Sequence, residues 1–444
     1  MALRARTSQR LPALILAVVL ILLIGFIAYL QSAKRPQMSA AQAIPLGGNQ
    51  SFDQIERGRY LTVLSDCAGC HTAPGGEPFA GGLTMQTPFG NLITPNITPD
   101  RDTGIGNWTD AEFVSSLHEG RGRGGERLYP AMPYTAYTKM TQDNALAIRA
   151  YLSTVDPVRK KVVSNQLPFP LNIRASMLAW NFLNFVPGRF QPIPQKSAVW
   201  NRGAYIVEGA AHCGTCHTPK NLLGGDKTSA ALTGGTLEDW FAPNITGDTR
   251  KGIGNWSSDD IAHYLKSGAN AWTLASGPMA EAVSHSTSQM TDADIAAIAT
   301  YLKDRATVQT ATSPVTLDAN SGVMRAGAAI YEDSCSACHM RSGVGAANLF
   351  PRLAGSSLVQ SDDATTLIRV VLEGSRAVAT AAKPTAPAMP AFDWRFNDTQ
   401  VAAVVTYIRN AWGNSAAAVS TGTVTNLRTK LQKTRAGGIL GRGN

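Results

Sequence analysis

The first long run of apolar positions lies at residues 11–30 (LPALILAVVLILLIGFIAYL), twenty residues without a charged side chain. As a helix, this run is long enough to cross a hydrocarbon core of about 30 Å. A cleavable leader has a shorter apolar stretch, about 7–15 residues, with a small-residue cleavage site just behind it. Here Lys34 and Arg35 follow at once, and Ala41-Gln42-Ala43 lies farther downstream. We therefore expect a retained membrane anchor in residues 1–35, with a cleaved leader as the alternative.

Beyond this run, apolar residues recur at helical spacing, and part of the pattern is repeated. The segments NITPD and GIGNW of residues 96–108 return as NITGD and GIGNW in residues 244–256, an offset of 148. Each is followed by a helix-start signal, at Thr109-Asp110 and at Ser257-Ser258, and then by apolar positions at helical spacing. This internal similarity predicts repeated domains.

A helix with a small residue near its start is predicted in three places. The three positions are Gly58, Gly203 and Gly327. A second helix follows downstream of each, ending at Ala150-Tyr151-Leu152, Thr300-Tyr301-Leu302 and Thr406-Tyr407-Ile408. Because glycine has no side chain, two helices can cross closely at that residue. We predict that the first and last helices of each domain cross there; a glycine that only loosens a helix start explains the recurrence less well.

All six cysteines fall in three copies of one motif. The copies are Cys67-Ala-Gly-Cys70-His71, Cys213-Gly-Thr-Cys216-His217 and Cys335-Ser-Ala-Cys338-His339. Cys-x-x-Cys-His is the pattern of covalent c-type haem attachment. Two thiols on one helical turn can reach the two vinyl groups of one porphyrin, and the adjacent histidine is then delivered to the iron. The sequence predicts three covalently bound haems c.

Other roles for these cysteines fit less well. A thioredoxin-like motif needs one copy between a strand and a helix and does not require the histidine. A zinc ribbon needs two Cys-x-x-Cys pairs about 15–20 residues apart, whereas these pairs start 146 and 122 residues apart. Three disulfides would leave the three adjacent histidines unexplained. Because haem c is attached outside the cytoplasmic membrane, we expect the bulk of the chain to be periplasmic.

A histidine-ligated haem that carries electrons usually takes a methionine as its second axial ligand. Three methionines beside prolines lie at similar distances downstream of the motifs: Met132, Met279 and Met389. We predict these as the second iron ligands, opposite His71, His217 and His339. Alternatives for the first two haems are Met85, Met140 and Met290, although Met140 and Met290 each precede a predicted helix, where packing is a sufficient role. His118, His263 and His285 are weaker alternatives.

Together these patterns predict a mainly α chain of three tandem class I cytochrome c-like domains after an N-terminal transmembrane helix. The predicted domains span residues 48–160, 196–307 and 320–415. Between the first two, residues 161–195 are rich in proline and aromatic residues, which predicts an ordered connector that serves as a docking surface or simply packs between domains. Residues 416–444 are basic and rich in small residues, which predicts a flexible tail.

The formal net charge of +9 raises the question of nucleic-acid binding. The two ends, residues 1–35 and 416–444, hold ten basic residues and no acid, so the 380 residues between them carry about −1. The haem domains therefore lack a broad basic face, and we expect no nucleic-acid partner. No Gly-x-Gly-x-x-Gly loop after a strand and no spare cysteine for an iron–sulfur cluster is present either.

The three motifs, the NIT-x-D and GIG-x-W segments and PAMPY at residues 130–134 resemble the tri-haem cytochrome c subunit of bacterial membrane-bound dehydrogenases. This family includes the alcohol, aldehyde, gluconate, sorbitol and fructose dehydrogenases of acetic acid bacteria and related nicotinate or isoquinoline oxidoreductases. The resemblance covers about residues 48–415.

The resemblance implies a relay at the inner membrane. A catalytic subunit with a molybdopterin, quinone or flavin cofactor, in some cases with a small iron–sulfur or accessory subunit, oxidises the substrate. This chain then passes the electrons to ubiquinone. Family members of the alcohol dehydrogenase type usually begin with a cleaved leader, so the predicted anchor favours the molybdenum-type aldehyde dehydrogenase subunit. Two other hypotheses are a stand-alone carrier to a terminal oxidase and a haem peroxidase with one iron lacking its methionine.

Overall fold

The computed structural model describes residues 51–305 and 317–436. The predicted anchor at residues 11–30 lies outside these residues. Within the described residues, no helix combines the length and the apolar character needed to cross a bilayer. This part of the chain is mainly helical and contains three two-stranded antiparallel hairpins.

The elements follow one another in a similar order in three successive repeats. The first repeat contains α1 (Phe52–Leu64), α2 (Cys67–His71), β1 (Thr84–Thr87), β2 (Gly90–Ile93), α3 (Asp110–Glu119), α4 (Tyr134–Tyr137) and α5 (Gln142–Leu152). The connector contains α6 (Ser176–Asn184). The second repeat contains α7 (Ala198–Tyr205), the π-helical turn Ile206–Ala210, α8 (Gly214–His217), β3 (Gly235–Leu237), β4 (Trp240–Ala242), α9 (Ser258–Ser267), α10 (Pro278–His285) and α11 (Asp292–Asp304). The third contains α12 (Gly322–Ser334), α13 (Ser336–His339), α14 (Thr365–Glu373), β5 (Ser375–Arg376), β6 (Ala388–Met389) and α15 (Asp398–Ile408), and α16 (Thr421–Ala436) follows it.

The predicted helix starts at Thr109 and Ser257 are confirmed. In each, the N-cap side chain accepts from the backbone N–H three residues on, and the carboxylate at that position accepts from the N-cap N–H. These capping boxes satisfy two backbone donors that a helix end otherwise leaves without partners. They fix the start of α3 and of α9 directly after the GIGNW segments.

The predicted close crossing of the first and last helices is present in all three repeats. A Cβ atom at Gly58 would fall far inside van der Waals contact of the Ala147 carbonyl group. The same holds for Gly203 against Ala297 and for Gly327 against Ala403. The three pairs α1/α5, α7/α11 and α12/α15 are accordingly the most closely packed helices in the described chain.

Two large hydrophobic clusters form most of the core. The first two repeats share one continuous hydrophobic cluster, in which Leu64 and Ile148 of the first repeat pack with Ile206 and Ile298 of the second. The third repeat has its own cluster around Tyr331 and Ile368. The first two repeats are therefore joined through their interior, whereas the third is attached through its surface.

The flexible tail predicted for residues 416–444 is wrong for the part that the structure describes. Helix α16 packs on the third repeat and buries Val424, Leu427 and Leu431, which recur at helical spacing. Its basic residues bind acidic side chains of the body: Arg428 lies 2.6 Å from Asp398, and Arg435 pairs with both Glu373 and Asp393. The composition predicted a flexible segment because it is dominated by basic and small residues. Only three buried apolar side chains pack this helix on the third repeat.

The connector is ordered, as predicted. One face of α6 buries Met177 and Trp180 against Tyr134, whose ring centroid lies 6.4 Å from that of Trp180. The Tyr134 hydroxyl donates to Asn181 Oδ1 over 2.7 Å. Packing on the first repeat therefore accounts for this face of the helix.

The helix crossing yields a stability prediction within one helix. Gly327→Ala places a methyl group against the Ala403 carbonyl, and we expect it to lower the free energy of unfolding by about 1–3 kcal/mol. Gly322→Ala, also in α12, meets nothing within 4 Å and serves as the control. Its effect should lie between zero and a gain of about 1 kcal/mol, because alanine is the better helix former. Denaturant unfolding of the two haem-loaded variants checks this; equal stabilities would contradict the proposed constraint.

Candidate functional site

Each Cys-x-x-Cys-His motif forms one short helical turn after the first helix of its repeat, and in the second repeat the π-helical turn Ile206–Ala210 lies between the two. The first motif is α2 itself, and Cys213 and Cys335 are the N-cap residues of α8 and α13. A single helical turn brings residues i and i+3 to the same side, so both cysteines of a motif face the same direction. The histidine ends each turn. The helix crossing thus sets where each motif begins.

The three motif histidines make the same hydrogen bond. Their Nδ1 atoms lie 2.8, 2.6 and 3.0 Å from the carbonyl oxygens of Pro95, Pro243 and Pro351, for His71, His217 and His339 in that order. A carbonyl oxygen only accepts, so Nδ1 carries the proton and donates. Nε2 then keeps its lone pair, and the ring is held in one orientation. This is the usual arrangement behind a metal-ligating histidine, and it fits a haem iron.

Burial supports the same chemistry. It lowers the pKa of His71, His217 and His339, and the prolyl carbonyl bond opposes this only in part. The imidazoles are therefore neutral at neutral pH, which is the form that binds metals.

The cysteines do not resemble a redox-active dithiol. Burial raises the pKa of Cys67 and Cys213 to about 12 and that of Cys335 to about 11. Redox-active Cys-x-x-Cys pairs need a lowered thiol pKa. No disulfide joins the six cysteines to one another. These features disfavour the thioredoxin-like and disulfide alternatives.

The three methionines predicted as second iron ligands are each partly buried. They lie in a turn, a helix and a strand, in that order along the chain. The Met132 carbonyl accepts from Tyr134 N–H over 2.7 Å, in a tight turn before α4. Met279 is the second residue of α10, directly after Pro278. Met389 is the last residue of β6 and pairs with Ser375. Each packs against the same core cluster as the first cysteine of its repeat. Their role as ligands stays a prediction.

The alternative ligands have other surroundings. Met140 and Met290 are 0% and 1% exposed in the shared core, which is the packing role expected for them. Met85 lies in β1. His118 is buried on α3; burial and the charge of Arg189 lower its pKa to about 4. His263 and His285 are exposed.

The three prolines that orient the histidines were not identified from sequence. Pro95 and Pro243 directly precede the repeated NIT segments, so Pro-Asn-Ile-Thr is shared in full. Because this tetrapeptide is repeated exactly, 148 residues later, it could have indicated that the backbone of the segment takes part in the site. Pro351 of the third repeat has no such neighbouring sequence (FPRLAG), and nothing in the sequence marks it.

The first two repeats meet through a reciprocal set of hydrogen bonds. The Tyr60 hydroxyl of α1 donates to Asp294 Oδ2 of α11 over 2.6 Å, and the Tyr205 hydroxyl of α7 accepts from Asn144 Nδ2 of α5 over 2.5 Å. Arg202 binds Asp294 with two hydrogen bonds of 2.7 Å. The tyrosine of each repeat thus binds the matching position in the last helix of the other repeat, Tyr60 as donor and Tyr205 as acceptor. The two repeats are related by an approximate two-fold symmetry within one chain.

Contacts between the first two repeats reach the Cys-x-x-Cys-His turns. Helix α10, which carries Met279, contacts α2, and Ser286 Oγ donates to the Leu64 carbonyl over 3.2 Å. The Tyr137 hydroxyl donates to the Ser65 carbonyl over 2.8 Å, two residues before Cys67. The ring centroid of Tyr137 also lies 5.4 Å from that of His212, the residue before Cys213. Tyr137 therefore contacts residues just before both the first and the second Cys-x-x-Cys-His motif.

The third repeat docks on the second near Gly277, the N-cap residue of the helix that carries Met279. The Trp240 ring packs where a side chain at Gly277 would lie, and the Arg369 guanidinium of α14 stacks 4.4 Å from the centroid of that ring. Lys251, whose side chain is 9% exposed, binds Asp362 over 2.7 Å. These contacts place the indole of Trp240 between the second Cys-x-x-Cys-His site and the third repeat.

A cysteine pair followed by a neutral, oriented histidine on a compact helical repeat defines a c-type cytochrome. A family model for cytochrome c matches residues 55–156, 201–306 and 324–412. The chain belongs to the cytochrome c family.

Several of its relatives are named as cytochrome subunits of dehydrogenases. The chain is 39% identical over 396 residues to the gluconate 2-dehydrogenase cytochrome c subunit of Pantoea cypripedii, covering 85% of this chain and 90% of that protein. It is 37% identical over 394 residues to the cytochrome c subunit of the quinone alcohol dehydrogenase of Gluconobacter oxydans, covering 84% and 82%. For the fructose dehydrogenase cytochrome subunit of Gluconobacter japonicus, identity is 38% over 403 residues, covering 84% and 82%. These relatives confirm the predicted family and an electron-transfer subunit without its own substrate-oxidising centre.

The reciprocal interface predicts a pH-dependent contribution to stability. Burial raises the pKa of Asp294, but hydrogen bonds from Arg202 and Tyr60 outweigh it and hold the value below normal. The stabilisation is therefore present above the unfolded-state pKa of about 3.9 and is lost as pH falls through the lower folded value. Asp294→Asn should cost about 1–3 kcal/mol at pH 7, and the difference from wild type should shrink towards pH 3.

Denaturant unfolding at both pH values measures this effect. Asp292→Asn is the control, because this carboxylate lies in the first turn of the same helix with its side chain 94% exposed. We expect a change within about 0.5 kcal/mol for that variant. A pH-independent cost for Asp294→Asn would show that its ionised carboxylate is not what joins the repeats.

Proposed function

We propose that this chain is the tri-haem electron-transfer subunit of a membrane-bound dehydrogenase on the periplasmic side of a bacterial inner membrane. It takes electrons from a catalytic subunit and delivers them to ubiquinone. The observation that supports this most strongly is the threefold recurrence of one site, a histidine oriented by a prolyl carbonyl beside two cysteines. A relay needs such sites in succession, and the contacts between neighbouring repeats support this proposal.

The residues that would hold the haems are those named from sequence. Covalent attachment would use Cys67, Cys70, Cys213, Cys216, Cys335 and Cys338, and the residues that would hold the iron are His71 with Met132, His217 with Met279, and His339 with Met389. Bound haem c supplies reversible one-electron chemistry. The chain's own contribution is to orient the histidines and to fix the spacing of the repeats through Tyr137 and Trp240.

We propose a catalytic partner that oxidises an aldehyde or alcohol. The relatives serve gluconate, alcohol, fructose and nicotinate dehydrogenases by name, at 37–40% identity, so no one substrate is favoured by similarity. The partner is of the molybdopterin, quinone-cofactor or flavin type, with a small iron–sulfur or accessory subunit in some of these cases. The predicted anchor at residues 11–30 favours the molybdenum-type aldehyde dehydrogenase.

Purification of the complex from native membranes tests this function. A tag at the C-terminus, mass spectrometry of co-eluting chains and a dye-coupled substrate screen would identify the partner. We expect a dehydrogenase subunit in stoichiometric yield and quinone reduction that depends on substrate. A chain that elutes alone with ascorbate-reducible haems would overturn the relay in favour of a stand-alone carrier, and peroxide turnover by the chain alone would favour a peroxidase.

The assignment of the second iron ligand gives a further prediction. Met279→His should remove about one third of the methionine-to-iron charge-transfer absorbance and lower the potential of one haem, because His/His ligation favours the oxidised iron. Met290→Leu is the matched control, since Met290 is buried in the core of the same repeat. Absorbance spectra and potentiometric titration of the two variants measure this. Loss of the band in Met290→Leu, with Met279→His unchanged, would reverse the assignment.

A further inference from the structure

One tyrosine of the first repeat lies between the first two Cys-x-x-Cys-His motifs. Tyr137 is 5% exposed, and its hydroxyl donates to the Ser65 carbonyl over 2.8 Å. Burial raises the pKa of this hydroxyl well above its usual value, and the neighbouring Cys67 and Cys70 raise it further. The hydroxyl end of Tyr137 therefore lies beside the first pair of predicted haem-binding cysteines.

The ring of the same tyrosine reaches the second motif. Its centroid lies 5.4 Å from that of the His212 imidazole, with the two ring planes at 74°. Edge-to-face contact of this kind is a favourable packing of two aromatic rings. His212 immediately precedes Cys213. Burial lowers the pKa of His212, and the Ser65 carbonyl opposes this in part. One backbone carbonyl therefore faces both rings.

The backbone before these two motifs has the same unusual conformation. Asp66 and His212, the residues directly before Cys67 and Cys213, have φ values of 51° and 40°. Non-glycine residues rarely adopt positive φ, and such residues cluster at functional sites. In the third repeat, the residue before the motif is instead the last residue of helix α12. Among the three motifs, the left-handed residue is thus found at the two that Tyr137 contacts.

The reciprocal bonds of the other two tyrosines begin farther from the motifs. Tyr60 lies seven residues before the first cysteine of its motif, and Tyr205 lies eight residues before the first cysteine of the second. By contrast, Ser65 and His212 lie two residues and one residue before those cysteines. Of these three tyrosines, Tyr137 gives the shortest route from one motif to the other.

We propose that Tyr137 and His212 form the electron path between the first and second haems. One electron passes between the two irons, so that one iron is oxidised as the other is reduced, and both side chains keep their electrons and protons. Protein interiors are packed as densely as organic crystals, and an electron tunnels faster through packed atoms than across a gap. The inference deepens the proposed function and rests on its haem sites.

Laser-flash reduction of the purified full chain, with its haems attached, tests the proposal. Photoreduced flavin delivers an electron, and phases whose rates do not depend on protein concentration report transfer between haems. We expect Tyr137→Leu and His212→Asn each to slow one such phase severalfold, because each removes one of the two rings. Asparagine tolerates positive φ, so His212→Asn keeps the backbone turn. If Tyr137→Leu fails to retain haem, His212→Asn alone decides the test.

The control is Phe190→Leu, which removes an aromatic ring from the same interface. Phe190 packs on the core shared by the first two repeats, and its ring centroid lies 5.8 Å from that of Tyr205. We expect its intramolecular phases to match those of the wild type. Potentiometric titration of all variants separates slower transfer from a changed driving force. The haem potentials should change too little to account for the lower rate.

Unchanged rates in Tyr137→Leu and His212→Asn would overturn the proposal and show that electrons pass directly between the porphyrin edges. An equal loss in Phe190→Leu, or a loss that shifted potentials explain in full, would overturn it too. These results are distinguishable from failure of the proposed function, because haem content is measured on the same samples and the dehydrogenase partner is scored by co-purification. A slowed phase without a dehydrogenase partner would leave the path intact and reject the relay.

Discussion

In every repeat, the carbonyl group of an alanine in the last helix occupies the space where a side chain of the first helix would lie. Gly58, Gly203 and Gly327 permit this approach, and no larger residue fits without moving the helix backbone. The first helix precedes the Cys-x-x-Cys-His turn, and the last helix follows the segment that carries the predicted methionine ligand. The crossing therefore fixes the two walls of each site relative to one another. The shared core of the first two repeats and the docking of the third are built on this frame.

The repeats are joined in two different ways, which bears on how electrons would move. The first two share a core and a reciprocal set of bonds between tyrosines and helix starts, so their sites are held at a fixed separation. The third is attached through Trp240, Arg369 and surface ion pairs. Its motif is also more open, since Cys338 is exposed. Substrate choice would reside in the partner, because the chain itself contributes orientation and spacing.

Local pattern predicted much of this structure. The motifs, the capped helices at Thr109 and Ser257 and the glycine crossings depend on residues close in sequence or on exact repetition, and all were visible. The hydrogen bond from Tyr60 to Asp294 joins two residues that are 234 positions apart in the sequence. No local sequence pattern predicts a partner at that separation. Helix α16 was missed because its three apolar side chains lie among basic and small residues. Pro95 and Pro243 were overlooked although they adjoin a repeated segment, since the role is played by a backbone carbonyl, which any residue possesses.

The central claim is that three equivalent sites, each with a histidine and a methionine ligand, lie within one chain. Near-infrared magnetic circular dichroism of the purified, oxidised protein, calibrated against haem and protein content, tests it most directly. It separates His/Met from His/His ligation iron by iron. We predict three covalent haems per chain, all low-spin with His/Met ligation. Fewer than three haems, a His/His signal or a high-spin iron would contradict the claim.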